Sequence, residues 1–168
     1  MTENTIVEIN VPPERNLSST KTYYNLPCAH RQWKHDGNCK VIHGYSRSFR
    51  FTFQAHTLDK CGFVVDFGEL DWLCARLEHL FDHTLLIGAD DPFLPMFKDL
   101  HNNGVCNLRI FEEGASTEML AKNICTFADQ NLRTLTKGRC WVVKVEAFEN
   151  DKNGAVYWNP APGFRGWL

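Results

Sequence analysis

The sequence predicts an α+β fold, on three observations. Aromatic and polar side chains alternate strictly over Tyr45 to Phe53, the period of a half-buried strand. Leu70, Leu73, Leu77 and Leu80 fall at helical spacing. Strand signals come in neighbouring pairs with helices set between them, rather than one helix per strand, which argues against a doubly wound parallel sheet. With 168 residues, 43% of them hydrophobic, the chain has enough apolar side chain for one domain with its own core and needs no cross-links to fold.

Taken in order, residues 1–19, with Pro12 and Pro13, read as an N-terminal arm, residues 20–158 as the folded domain, and residues 159–168, with Pro160 and Pro162, as an extended C-terminal tail. From Lys21, the residues Tyr24, Leu26, Cys28 and His30 share one parity, a strand whose apolar face ends in Cys28 and His30. Pro27 makes it an edge strand or breaks it. Asp36-Gly37 is a turn signal, and a second strand begins near Val41. On it, Tyr45, Arg47, Phe49, Phe51 and Phe53 face one way and Ser46, Ser48, Arg50 and Thr52 the other, so His43 and Tyr45 share the phenylalanine face. Leu58 to Gly62 reads as a turn, Phe63 to Asp66 as a short strand and Glu69 to Phe81 as a helix. Asp91-Pro92 supplies a cap and a first-turn proline for a helix over Asp90 to Asn102. Val105 to Phe111 reads as a strand. Ser116 or Thr117 caps a longer helix with Leu120, Ile124, Phe127, Leu132 and Leu135 on one side. Trp141 to Phe148 is a strand, and Asn153-Gly154 turns into a last strand over Ala155 to Trp158.

The formal net charge of −2 and the absence of a basic stripe argue against a nucleic-acid partner. Arg47 and Arg50 form a short local cluster, better suited to one small anion than to a duplex. No apolar run approaches the ~20 residues of a membrane helix, and Met1 to Asn16 has no apolar leader core. Seven cysteines without a CxxC pair read as free thiols in a reducing cytoplasm.

The densest chemistry lies between Cys28 and Tyr45, where Cys28, His30, His35, Cys39, His43 and Tyr45 fall within one strand–turn–strand segment. Zinc takes thiolate and imidazole ligands. Cys28 and His30 share a face, as do His43 and Tyr45, so neighbouring strands would bring four donors together. Singly, each has a blander reading, as a hydrogen-bonded core histidine or a small apolar cysteine. Asp82-His83 pairs a carboxylate with an imidazole it can orient, although a histidine near a helix end is also favoured by the dipole. Ser116, Thr117 and Glu118 read as a helix N-terminus with an acidic first turn. Glu146, on a strand face with Val142, Lys144 and Phe148, could accept two hydrogen bonds from a guanidine-like edge such as that of a pterin or guanine, or be a solvated strand residue.

Together these segments resemble the 6-pyruvoyl-tetrahydropterin and 6-carboxytetrahydropterin synthase family, in order and over most of the domain. Leu26-Pro-Cys-Ala-His30 is similar to its first histidine segment, and Cys39-Lys-Val-Ile-His43-Gly-Tyr45 to its Cys-x-x-x-His-Gly-His. Gly62-Phe-Val-Val-Asp66-Phe67, Phe81-Asp82-His83, Ala115-Ser-Thr-Glu118-Met-Leu-Ala and Val145-Glu146 resemble four further motifs. The resemblance implies a tunnelling fold (T-fold) with a four-stranded antiparallel sheet and two main helices on one face. Its sheets close into a barrel in a homo-oligomer, often a hexamer. It implies zinc held by His30, His43 and position 45, Cys39 as the proton-transferring base with Asp82 and His83 as relay, and Glu146 anchoring the pterin with Ser116, Thr117 and Glu118. The implied substrate is 7,8-dihydroneopterin triphosphate, which loses triphosphate as its side chain rearranges.

The sequence departs from this pattern at Tyr45, where the family has histidine, and at Ala115 and Met119, where it has proline and asparagine. Three outcomes stay open for the metal: Tyr45 ligates as a phenolate, Cys28 supplies the third ligand, or the site binds metal weakly or not at all and the protein does something else with a pterin-like or guanine-like ligand. The functional expectation is a 6-carboxytetrahydropterin synthase-like lyase of a queuosine-type pathway. The alternatives are the pyruvoyl branch that feeds tetrahydrobiopterin, or a non-catalytic pterin- or purine-binding member of the fold.

Overall fold

The computed structural model describes residues 17–160. In chain order the elements are β1 (Ser18–His30), β2 (His43–Ala55), α1 (Asp71–Phe81), β3 (Thr84–Gly88), α2 (Leu94–Asn102), β4 (Leu108–Phe111), α3 (Thr117–Leu135), β5 (Cys140–Phe148) and β6 (Gly154–Trp158), with short 3-10 turns at Asn38–Lys40 and Phe67–Leu70. The strands form one six-stranded sheet in the order β4-β3-β1-β2-β5-β6. The arm over residues 1–19 lies outside the described residues except for its last three, of which Ser18 and Ser19 open β1, and of the tail only residues 159 and 160 are described.

The antiparallel part of the sheet, β1-β2-β5-β6, is what alternation and the Asn153-Gly154 turn call for. Phe49, Phe51 and Phe53 are fully buried on its helix side, under Leu73 and Leu77 of α1 and Leu120, Ile124 and Leu132 of α3. The expectation of four strands is corrected to six: β3 joins β1, and β4 joins β3, both in parallel. All five residues of β3 are buried, so Thr84-Leu-Leu-Ile-Gly88 is covered on both faces and has no alternation to reveal it. Its Leu86 belongs to the main core, while Leu85 and Ile87 pack with Phe97 of α2 and Leu108 on the opposite face. The main helices α1 and α3 therefore lie on one face, and α2 covers the other face of the parallel end.

Four further expectations are corrected. Phe63 to Asp66 is not a strand: Val64 and Val65 are both buried, and the Arg139 guanidinium donates to the carbonyls of Thr57, Phe63 and Val64 in place of a strand neighbour. The second helix starts at Leu94, not Asp90, because Asp91 closes a turn, accepting from the Phe93 amide at 2.9 Å and leaving Pro95 as the first-turn proline. Residues 105–107 precede β4 rather than belonging to it, and Leu135 is exposed at the end of α3.

Two irregularities shift strand parity. Register slips between Tyr23 and Leu26, with Asn25 at φ 60°, so Tyr23 is buried and Tyr24 exposed, while Leu26, Cys28 and His30 keep the core side. On β5, Lys144 pairs with Thr52 but Val142 pairs with Phe53, leaving Val143 as the extra residue. Val142, Val145 and Ala147 then face the core, and Glu146 does not share a face with Val142. No helix among the described residues is long and apolar enough to cross a membrane.

The burial of the cysteines gives a direct check. Burial pushes the Cys125 and Cys140 thiols up to about 12 and about 11, and only thiolates alkylate quickly. Brief alkylation of native protein, mapped by mass spectrometry, is expected to label the exposed Cys61 and leave Cys125 and Cys140 untouched until the chain is unfolded. Labelling of Cys125 at the rate of Cys61 would contradict this packing.

Candidate functional site

At the end of the β1–β2 pair, His30 lies directly opposite His43, and Cys28 directly opposite Tyr45. Opposed residues of an antiparallel pair point to the same face, so all four side chains converge, as strand spacing predicted. The His30 and His43 ring centroids are 4.4 Å apart, and the Tyr45 ring is 6.1 Å from His30 and 5.5 Å from His43. His30 is buried, while His43 and Tyr45 are half-buried at the rim.

The centre of the cluster is Arg47. It follows Tyr45 on the core face of β2 and is fully buried. Its Nη1 donates to Thr117 Oγ1 at 3.0 Å, and its Nη2 to His30 Nε2 at 3.1 Å and to Glu149 Oε1 at 3.3 Å. Thr117 Oγ1 donates in turn to Glu149 Oε1 at 2.7 Å. His30 completes the network with its other nitrogen, Nδ1–H donating to the Ala115 carbonyl at 3.2 Å. Guanidinium has no acceptor, so the bond from Arg47 fixes His30 with its proton on Nδ1 and its lone pair on Nε2. Burial, then the charges of Arg47 and His43, lower the His30 pKa to about 4, keeping the imidazole neutral near pH 7. The Cys28 thiol beside them is held above its ordinary pKa by burial, with the Arg47 charge acting the other way.

The N-terminus of α3 builds the second wall. Ser116 caps it by accepting from the Met119 amide at 3.3 Å, which places Thr117 in the first turn facing Arg47, with Glu118 exposed. Glu149 stands just beyond β5. Among the described residues its Oε1 takes every hydrogen bond that the carboxylate accepts, and Oε2 takes none. Glu146, by contrast, lies on the face of the sheet away from this cluster, opposite Arg50, and pairs with Lys144 Nζ at 3.1 Å.

Cys39 sits half-buried in the 3-10 turn Asn38–Lys40, close in sequence to His43, whose Nδ1–H donates to the Val41 carbonyl at 2.8 Å and leaves Nε2 free. Asp82 and His83 form a dyad, His83 Nδ1 lying 2.6 Å from Asp82 Oδ1. They follow α1, with His83 at φ 53° and its amide donating to the Pro27 carbonyl at 2.7 Å. His83 lines a shallow depression with Thr84 and with Pro27 to Ala29 and Gly44 to Ser46 of the two strands, of which Pro27, Ala29, Gly44 and Ser46 alternate away from His30 and Arg47 while Cys28 and Tyr45 belong to both. Within one chain, therefore, Cys28, His30, His43, Tyr45 and Thr117 come together, and Asp82, His83 and Glu146 lie apart from them. Among the described residues, no hydrogen bond links Cys39 to the dyad.

These side chains do not fit a zinc ion as they are arranged. Zinc bonds to imidazole at ~2.0–2.1 Å along the lone pair. The Nε2 lone pair of His30 already points at Arg47 Nη2, 3.1 Å away, so such an ion would fall roughly 1 Å from that nitrogen. Among the described residues, no three His, Cys, Asp or Glu side chains group as metal ligands. The sequence suggested Arg47 and Arg50 as a small-anion cluster, but they lie on opposite faces of β2, and Glu149 carried no signal. The signal for Arg47 was present, a charge on the phenylalanine parity of β2. Glu149 lies past the strand end, where parity does not reach.

A family model described as 6-pyruvoyl tetrahydropterin synthase matches residues 20–160. Curated relatives share the name 6-carboxy-5,6,7,8-tetrahydropterin synthase. The one from Rickettsia conorii is 33% identical over 37% of this chain, and the match spans 46% of its own length, so the chain covers about half of that relative. The one from Aquifex aeolicus is 26% identical over 80% of this chain and 93% of its own. Among solved structures, an uncharacterised protein of Wolinella succinogenes superposes with a TM-score of 0.72 at 19% identity, covering 86% of this chain and 99% of that one. The 6-pyruvoyl tetrahydropterin synthase of Plasmodium falciparum superposes with a TM-score of 0.60 at 14% identity, covering 84% and 98%. At these identities the solved structures establish the shared T-fold.

The two glutamates should separate in stability. Glu149→Gln leaves the buried Arg47 charge without its counter-ion, which costs about 3 kcal/mol. Glu146→Gln removes a pair at the partly solvated face, worth about 1 kcal/mol or less. Urea unfolding of both variants measures the difference, and equal losses would contradict the assignment of Glu149 to the cluster.

Proposed function

The chain belongs to the 6-pyruvoyl tetrahydropterin synthase family, and from that premise we propose that it is a carbon–oxygen lyase of the pterin synthase type. Its substrate is a dihydropterin triphosphate, 7,8-dihydroneopterin triphosphate, and with one water its products are triphosphate, 6-carboxytetrahydropterin, a deazaguanine (queuosine-type) precursor, and acetaldehyde, which carries away the two outer side-chain carbons. The names of the curated relatives favour the carboxy branch over the pyruvoyl branch.

The observation that carries the reading is Glu149. A pterin presents an amino group and a ring N–H side by side, and an ionised carboxylate with a free oxygen is the complementary acceptor. Glu149 offers Oε2 while Oε1 is fixed by Thr117 and Arg47. The anchoring role expected of Glu146 is therefore assigned to Glu149, with Ser116 and Glu118 shaping the same helix end. Cys39 is the base that takes the side-chain proton as triphosphate leaves, and Asp82 orients His83 to relay protons, its Nε2 open. The dyad lies apart from the cluster within one chain, which favours sites shared between copies in a homo-oligomer, a hexamer in this reading. The arranged side chains do not accommodate zinc, because Arg47 Nη2 occupies the His30 lone pair.

A second reading, a pterin- or purine-binding protein without turnover, is favoured by Arg47, which occupies the His30 lone pair. Calorimetric titration with a dihydropterin, alongside an assay of triphosphate release from 7,8-dihydroneopterin triphosphate, separates the two. The lyase reading expects binding and release, both lost in Glu149→Gln, with release alone lost in Cys39→Ala. Binding without release supports the second reading. Binding that survives Glu149→Gln but fails in Glu146→Gln would overturn the anchor.

A further inference from the structure

Arg47 combines features that a packing residue does not need. It is fully buried and makes three charge-assisted contacts, with Thr117, His30 and Glu149. Among the described residues, its Nε has no hydrogen-bond partner. It takes the one lone pair through which His30 could bind a cation, and it is itself a permanent cation among two imidazoles, a phenol and a carboxylate. It also holds Glu149 by Oε1 only, so the other oxygen of that carboxylate stays available.

We infer that Arg47 is a fixed internal cation standing where a metal ion would otherwise sit, closing His30 to metal and orienting Glu149, so that a heterocycle with a guanidine-like edge binds at this site without metal. The cation supplies what a bound ion would supply to its surroundings, a positive charge beside the Glu149 carboxylate and the His30 imidazole. It supplies no open coordination position, because its contacts are with protein atoms. Arg47 is therefore a positioning residue, acting on the ligand through Glu149. Only the identity of the heterocycle rests on the pterin reading. The closure of His30 to metal does not.

The test is a titration of the full-length protein with Co²⁺, read by its visible absorption and by elemental analysis after desalting, on wild type, Tyr45→His, and Tyr45→His combined with Arg47→Met. Wild type and Tyr45→His are expected to retain no metal, because restoring a third imidazole leaves His30 blocked. The double variant is expected to retain about one ion per chain, with tetrahedral absorption. Metal retained by wild type or by Tyr45→His alone would overturn the inference, as would a double variant with native circular dichroism that retains none. A second measurement needs no variant: pterin binding to wild type should have the same dissociation constant with and without a chelator. Binding abolished by the chelator would overturn the inference, whereas no pterin binding under any condition would instead count against the ligand assignment and leave the metal result standing.

Discussion

The structure around the candidate site depends on the neutralisation of one buried guanidinium. A charge removed from water is tolerated only when paired and hydrogen-bonded. Arg47 of β2 meets this demand by drawing on His30 at the end of β1, Thr117 at the start of α3 and Glu149 beyond β5. These partners come from different parts of the chain, so the cluster ties both middle strands to the N-terminus of α3 and the exit of β5. It also orders the protons: Ala115 accepts from His30, His30 accepts from Arg47, and Glu149 accepts from Arg47 and Thr117. Each group has one role in that chain, so changing any of them disturbs the others.

The sheet determines which residues can join the cluster. Register places His30 opposite His43 and Cys28 opposite Tyr45, on the side covered by α1 and α3. Alternation sends Ala29, Gly44 and Ser46 the other way, toward the depression beside His83. The same logic removes Glu146, whose strand position faces it away from the core, and brings in Glu149, which has left the strand. A single chain thus holds the hydrogen-bonded cluster of Arg47, Glu149 and Thr117 and, separately, an oriented Asp82–His83 dyad.

Much of this was legible in the residues, where a physical period reached them. Alternation over Tyr45 to Phe53 fixed the face of β2, and the Ser116–Thr117 pair marked the start of α3, with Ser116 as the cap in the structure. The convergence of His30, His43, Tyr45 and Cys28 followed from spacing on the condition that the two strands are neighbours, which they are. Where the period failed, so did the reading. The strand β3 is buried on both faces and shows no alternation, and the extra residue at Val143 breaks the parity used to place Glu146. Phe63 to Asp66 has strand-like composition, but its carbonyls are satisfied by Arg139, a residue far away in sequence. Arg47 stood in plain view on an apolar face. Its meaning came only from the partners that folding brings to it, none of which is its neighbour in sequence.

The decisive quantity is the position of the Arg47 guanidinium when metal is offered. A crystal structure of the full-length protein, grown with excess zinc and with diffraction data collected at the zinc absorption edge, measures it. The guanidinium is expected between His30 and Glu149, with no anomalous peak within bonding distance of the His30 ring. An anomalous peak joining His30 and His43, with Arg47 swung out of the cluster, would contradict this arrangement.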